Sequence, residues 1–159
     1  MNRQIRRAQA KAKPAKPPRA NRHQLRKALP HEVDLVFGDI DRFFRQLSEG
    51  LVDVDQRGVL VQQSLEGERY ETIPAVLGFT SVWRRISNNF NLNIDVSPIE
   101  KLCKRLEACM PITPGEVEHS MAIILAMRRA YSKLDLYEVK SIVNTELIAL
   151  ELSQPGASK

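Results

Sequence analysis

With 159 residues, 43% of them hydrophobic, the chain has the size and composition of one globular domain. Its formal charge of +5 is unevenly placed: residues 1–31 hold ten Arg or Lys and no Asp or Glu, leaving 14 basic against 19 acidic side chains in the remainder. Two cysteines exclude a disulfide scaffold, no apolar run approaches the roughly 18 residues of a membrane helix, and the basic start lacks the apolar segment of a secretory signal.

Residues 1–31 read as a disordered basic arm, because a block of like charge repels itself. Asn2–Lys11 contains good helix formers and is expected to become a short basic helix only against a partner. Lys13-Pro14-Ala15-Lys16-Pro17-Pro18 cannot be helical, since each proline lacks an N–H and restrains its predecessor. A further short helix is expected over residues 21–29. The absence of Ser and the four prolines argue against a transit peptide, so a cytoplasmic location is expected.

The folded body is placed at residues 32–152. Val36, Ile40, Phe43, Phe44, Leu47 and Leu51 follow one another at spacings of three and four, an amphipathic stripe that Gly50 is positioned to end in a left-handed cap. Two β-rich runs, residues 58–63 and 68–73, flank a Gly-bearing connector and predict a β-hairpin. Two strands alone are marginal in water, so the hairpin must rest on helices.

Pro74 suits a first helical turn, and Val76, Phe79, Trp83 and Ile86 continue at helical spacing with Arg84 and Arg85 turned outward. Ser97-Pro98-Ile99-Glu100 reads as a capping box, followed by the apolar face Ile99, Leu102, Cys103 and Leu106. Thr113-Pro114-Gly115-Glu116 repeats that start chemistry, and Asp135 with Glu138 offers a third version. Val117, Met121, Ile124, Leu125 and Tyr131 make a stripe that Ile123 and Met127 widen, as in the central helix of a bundle. Leu136, Val139, Val143, Leu147 and Leu150 form the seam of the last helix, and residues 153–159 are expected to be a flexible tail. The fold class is therefore mainly α: about five helices, a small hairpin and the basic arm.

No constellation of reactive residues emerges. Cys103 and Cys109 lie six apart, whereas paired zinc ligands want two to four intervening residues and further ligands elsewhere. His119 follows two glutamates in a first turn and reads as solvated rather than as a partner to a nucleophilic cysteine. Asp39 with Asp41, and Asp53 with Asp55, read as surface charge. A helix-turn-helix reading of residues 98–131 fails because Glu116 and Glu118 would face phosphates. No enzyme activity, cofactor or metal is expected.

The feature above background is the arm, whose cations Arg3, Arg6, Arg7, Lys11, Lys13, Lys16, Arg19, Arg22, Arg26 and Lys27 can neutralise phosphates without reading bases. A non-enzymatic accessory protein follows, its arm on nucleic acid and its body on a partner or a second copy. The rival is an interaction adaptor or inhibitor acting on a protein without nucleic acid, with Trp83, Arg84 and Arg85 in its contact surface. The opening Met1-Asn2-Arg3-Gln4-Ile5-Arg6-Arg7-Ala8 resembles the starts of many uncharacterised bacterial and prophage proteins. That resemblance implies a bacterial or bacteriophage source, hence cytoplasm, host cytoplasm or virion, and no activity.

Overall fold

A computed structural model describes residues 26–64 and 66–153. The basic residues of the arm up to Arg22, and the tail from 154 onward, lie outside the described residues. The elements run α1 (Pro30–Glu49), β1 (Asp53–Val54), β2 (Leu60–Gln63), β3 (Arg69–Glu71), α2 (Thr72–Phe90), α3 (Ser97–Glu107), α4 (Pro114–Tyr131) and α5 (Leu136–Ser153). The fold is mainly helical, as expected. The hairpin gains a third strand: β1-β2-β3 is an antiparallel meander with Val54 opposite Leu60 and Gln62 opposite Tyr70.

Helix α1 starts at Pro30, two residues before the expected boundary, and Arg26–Leu29 are not helical. Proline suits the first turn, and the Glu32 carboxylate accepts from the Leu29 N–H at 2.9 Å, which satisfies one donor at the helix start. Gly50 ends the helix with φ 70°, where a Cβ would be strained. The buried face is not quite the expected stripe. Val33, Phe37, Ile40, Phe43 and Phe44 are inside, whereas Val36 is 40% exposed and Leu51 lies on the surface. Apolar residues cover nearly half of this helix, and packing rather than spacing selects the inner strip. Phe37 is fully buried, with its ring edge-to-face against Phe79, Trp83 and Tyr131 at 5.4, 6.2 and 5.5 Å.

Helices α1 and α4 pack together, α3 lies against both α4 and α2, and α5 rests on α2. The meander sits on α2 and is tied to α1: the buried Gln62 amide donates to the Asp39 carbonyl at 2.9 Å, and Arg42 donates to the Gln63 carbonyl at 2.5 Å. Helix α2 begins at Thr72 and so absorbs the end of the expected second strand. Its exit is an Asn91 cap in the left-handed region, φ 52°.

The Thr113–Glu116 capping box is present in full: the Thr113 hydroxyl accepts from the Glu116 N–H at 3.2 Å, and the Glu116 carboxylate accepts from the Thr113 N–H at 2.7 Å. The Ser97–Glu100 box is not. Val96 takes the capping position without a side-chain bond, and Glu100 turns instead to the Arg84 guanidinium, accepting from it at 3.0 and 2.7 Å. A bidentate, charge-assisted pair outcompetes one bond to a backbone N–H. At α5 the Asp135 carboxylate accepts from the Tyr137 N–H at 3.1 Å.

Candidate functional site

The arm enters the body at a fixed place. Arg26 pairs with Glu32 at 2.8 Å, and its carbonyl accepts from the Leu136 N–H at 2.8 Å, one of the otherwise orphaned donors at the start of α5. Lys27 is exposed. Of the ten cations assigned to the arm, Arg3, Arg6, Arg7, Lys11, Lys13, Lys16, Arg19 and Arg22 fall outside the described residues.

Of Trp83, Arg84 and Arg85, the two arginines are exposed at the surface and the tryptophan is not. Trp83 is 2% exposed, drawn inward with Val76 and Ile86 against Phe37. Arg84 is engaged by Glu100, and the Arg85 Nε lies 3.0 Å from a Glu146 carboxylate oxygen. The two arginines thus tie α2 to α3 and to α5 while remaining at the surface.

Other charged residues are similarly committed. Arg128 reaches from α4 to both Asp34 and Asp41 of α1, the latter at 2.5 Å. Arg105 joins α3 to Glu116 and to the Pro111 carbonyl, so the start of α4 is occupied from within. The Thr113 backbone N–H, then its hydroxyl, and then Arg105 hold the Glu116 carboxyl below its ordinary range. Asp39 accepts from Arg42 at 2.7 Å, and Asp55 accepts from the backbone N–H groups of Arg57 and Val59 at 2.8 and 3.0 Å. Of the carboxylates noted in the sequence, Asp39, Asp41 and Asp55 thus act in ion pairs and a turn.

Cys103 is buried, its thiol pushed up to about 12 by that burial, while Cys109 is exposed at the end of α3 with φ 53°. A thiol held so far above neutrality is a poor nucleophile. His119 is exposed. Among the described residues there is no group of three or more His, Cys, Asp or Glu able to hold a metal ion, and no helix long and apolar enough to cross a membrane.

What the sequence did not announce is a groove. Between α1, α2 and α5 lies a cavity of about 540 Å³, with Phe37 and Trp83 in its lining beside Phe79, Val143, Leu147 and Leu150. Lys140 and Asn144 of α5 are polar members of its lining. The last turns of α5 leave Leu147 49% and Leu150 40% exposed, although both belong to the apolar seam. Ile148 and Leu152 are exposed as well. The seam was legible; that nothing among the described residues covers its second half was not. A smaller cavity of about 230 Å³ adjoins across Val36 and Phe79, lined by Asp39, Gln62, Tyr70 and Thr72. The buried Thr72 hydroxyl and the Trp83 Nε1–H have no hydrogen-bond partner among the described residues.

Among the described residues, fold and surface together define five helices, a β-meander and an open apolar groove. No protein-family model, curated protein or solved structure matches this chain.

Proposed function

We propose that this is a non-enzymatic accessory protein whose basic leader contacts nucleic acid without reading its sequence, while the helical body makes a protein contact. The observation that carries the reading is the division of charge. Ten cations and no carboxylate stand in the first 31 residues, ahead of a body with a net charge of −5. Within the body, six of the nine arginines between residues 32 and 153 are in ion pairs with the chain's own carboxylates. Cations already paired with the chain's own carboxylates are less available to phosphates, whereas those of the leader, Arg26 apart, have no carboxylate anywhere in residues 1–31 to pair with locally. Counterion release on phosphate neutralisation then supplies affinity and a steep salt dependence. The place of action is the cytoplasm, or host cytoplasm or virion for a phage-encoded chain.

The test compares the full chain with one beginning at Arg26, which keeps the Arg26–Leu136 bond, in polarisation binding to duplex DNA and to RNA. Binding that disappears with residues 1–25 supports the reading; equal binding by both chains, or none by either, refutes it. The open groove favours a second reading, an adaptor that acts on a protein without nucleic acid. A stoichiometric partner that survives nuclease treatment, together with no polyanion binding, would select it.

A further inference from the structure

We infer that α5 pairs antiparallel with α5 of a second copy of this chain, each helix entering the groove of the other. The inference rests on reading the body as the protein-contact half of the molecule, and it names the surface and the occupant. At 100° per residue, Lys140, Asn144, Leu147 and Glu151 fall within about 60° of arc on α5, flanked by Val143 and Ile148. This strip lies beside the face that rests on α2, and its Lys140, Asn144 and Leu147 line the groove.

Lys140 and Glu151 are both exposed, and neither is in an ion pair among the described residues. They stand about 8 Å on either side of a midpoint between Thr145 and Glu146, given the 1.5 Å rise of a helix. A two-fold axis through that midpoint sets Lys140 of each copy opposite Glu151 of the other, and Val143 opposite Ile148. Such self-complementarity is what an isologous contact requires, with the same patch serving both copies. The apolar residues supply the attraction and the two symmetry-related charge pairs fix the direction, as flanking charges do in paired helices. Leu147, Ile148, Leu150 and Leu152, four of the twelve exposed large hydrophobic residues among those described, crowd into the last turns of this one helix. A helix apolar on so many sides belongs in an interior.

The test is light scattering of the full chain from about 1 to about 100 μM, a range that spans micromolar dissociation constants. The expected mass is twice the 18.1 kDa of one chain. Leu147→Glu with Leu150→Glu, both at exposed positions, yields a monomer with an unchanged far-UV circular dichroism spectrum. Lys140→Glu weakens association by about tenfold, since symmetry turns two attractions into two repulsions. Adding Glu151→Lys restores it. Lys140 also lies in the field of Glu32, and the double variant leaves that repulsion in place, so recovery reports only the pairing between copies.

A monomer at all concentrations overturns the inference, as does a dimer indifferent to Leu147→Glu with Leu150→Glu, or a charge exchange that restores nothing. A monomer whose Trp83 emission shifts when residues 1–25 are removed makes the leader the occupant, and also overturns it. A monomer that still binds DNA through its leader sinks this inference alone; a dimer that binds no polyanion sinks the proposed function alone.

Discussion

Replacing Phe37 by Ala tests which strip of α1 faces the core. The ring is fully buried and touches Phe79, Trp83 and Tyr131 edge-on. Phe-to-Ala changes in cores cost about 3–5 kcal/mol, and because Phe37 also borders the open groove the cost falls near the lower end, about 3 kcal/mol. For a chain of this length that corresponds to a fall of roughly 6–12 °C in Tm. Val36→Ala, one position away and 40% exposed, removes little buried surface and costs less than about 1 kcal/mol. Urea melts followed by far-UV circular dichroism, with unchanged m-values, give both numbers on one scale. Equal losses for the two variants, or a loss below about 1 kcal/mol for Phe37→Ala, would refute the assigned face.

The two capping sequences separate in the same assay: Thr113→Ala costs about 1 kcal/mol, whereas Ser97→Ala stays within about 0.5 kcal/mol because Ser97 caps no helix and its hydrogen bonds to Asp95 and Arg84 lie at the surface. A thiol reagent added to the native protein modifies Cys109 and spares Cys103 until denaturant is added; two equally fast thiols would contradict the packing of α3. Acid weakens the fold with a defined sign. Glu32, Asp55, Asp95, Glu100 and Glu116 are all held below their ordinary values, chiefly by hydrogen bonds, so the folded state binds fewer protons than the unfolded chain near those values. Their contribution is fully present above the ordinary glutamate value of 4.5 and is lost as pH falls through the lowered values. The urea midpoint therefore declines on acidification below that point, and Glu116→Gln flattens part of the decline; a midpoint rising with acid would refute the assignment.

Helix number, order and most inner faces were legible because the 3.6-residue period survives in α2, α3 and α4, where Trp83, Ile99 and Ile124 fall as spaced. The phase of α1 was not, since Val36 and Phe37 are both apolar neighbours and only the cluster with Trp83 and Tyr131 chooses between them. Strand β1 is two residues long, too short to leave an alternating pattern. Thr72 and Ile73 are β-branched yet helical, placed by the turn that Pro74 favours. The Ser97 box failed because Glu100 has a distant competitor, Arg84, sixteen positions earlier in the chain. The same blindness to distance hid the groove. Leu147 and Leu150 look like any packed seam until α5 is seen to rest on α2 and leave its other side open.

The proposed separation of an adhesive leader from an acidic body is tested most directly by the salt dependence of DNA binding. Eight cations precede Arg26; six engaged phosphates give a log–log slope of about −5 for the full chain on duplex DNA, against a slope near zero and negligible affinity for the chain that begins at Arg26. Equal slopes for the two chains, or a flat line for the full one, would contradict the account.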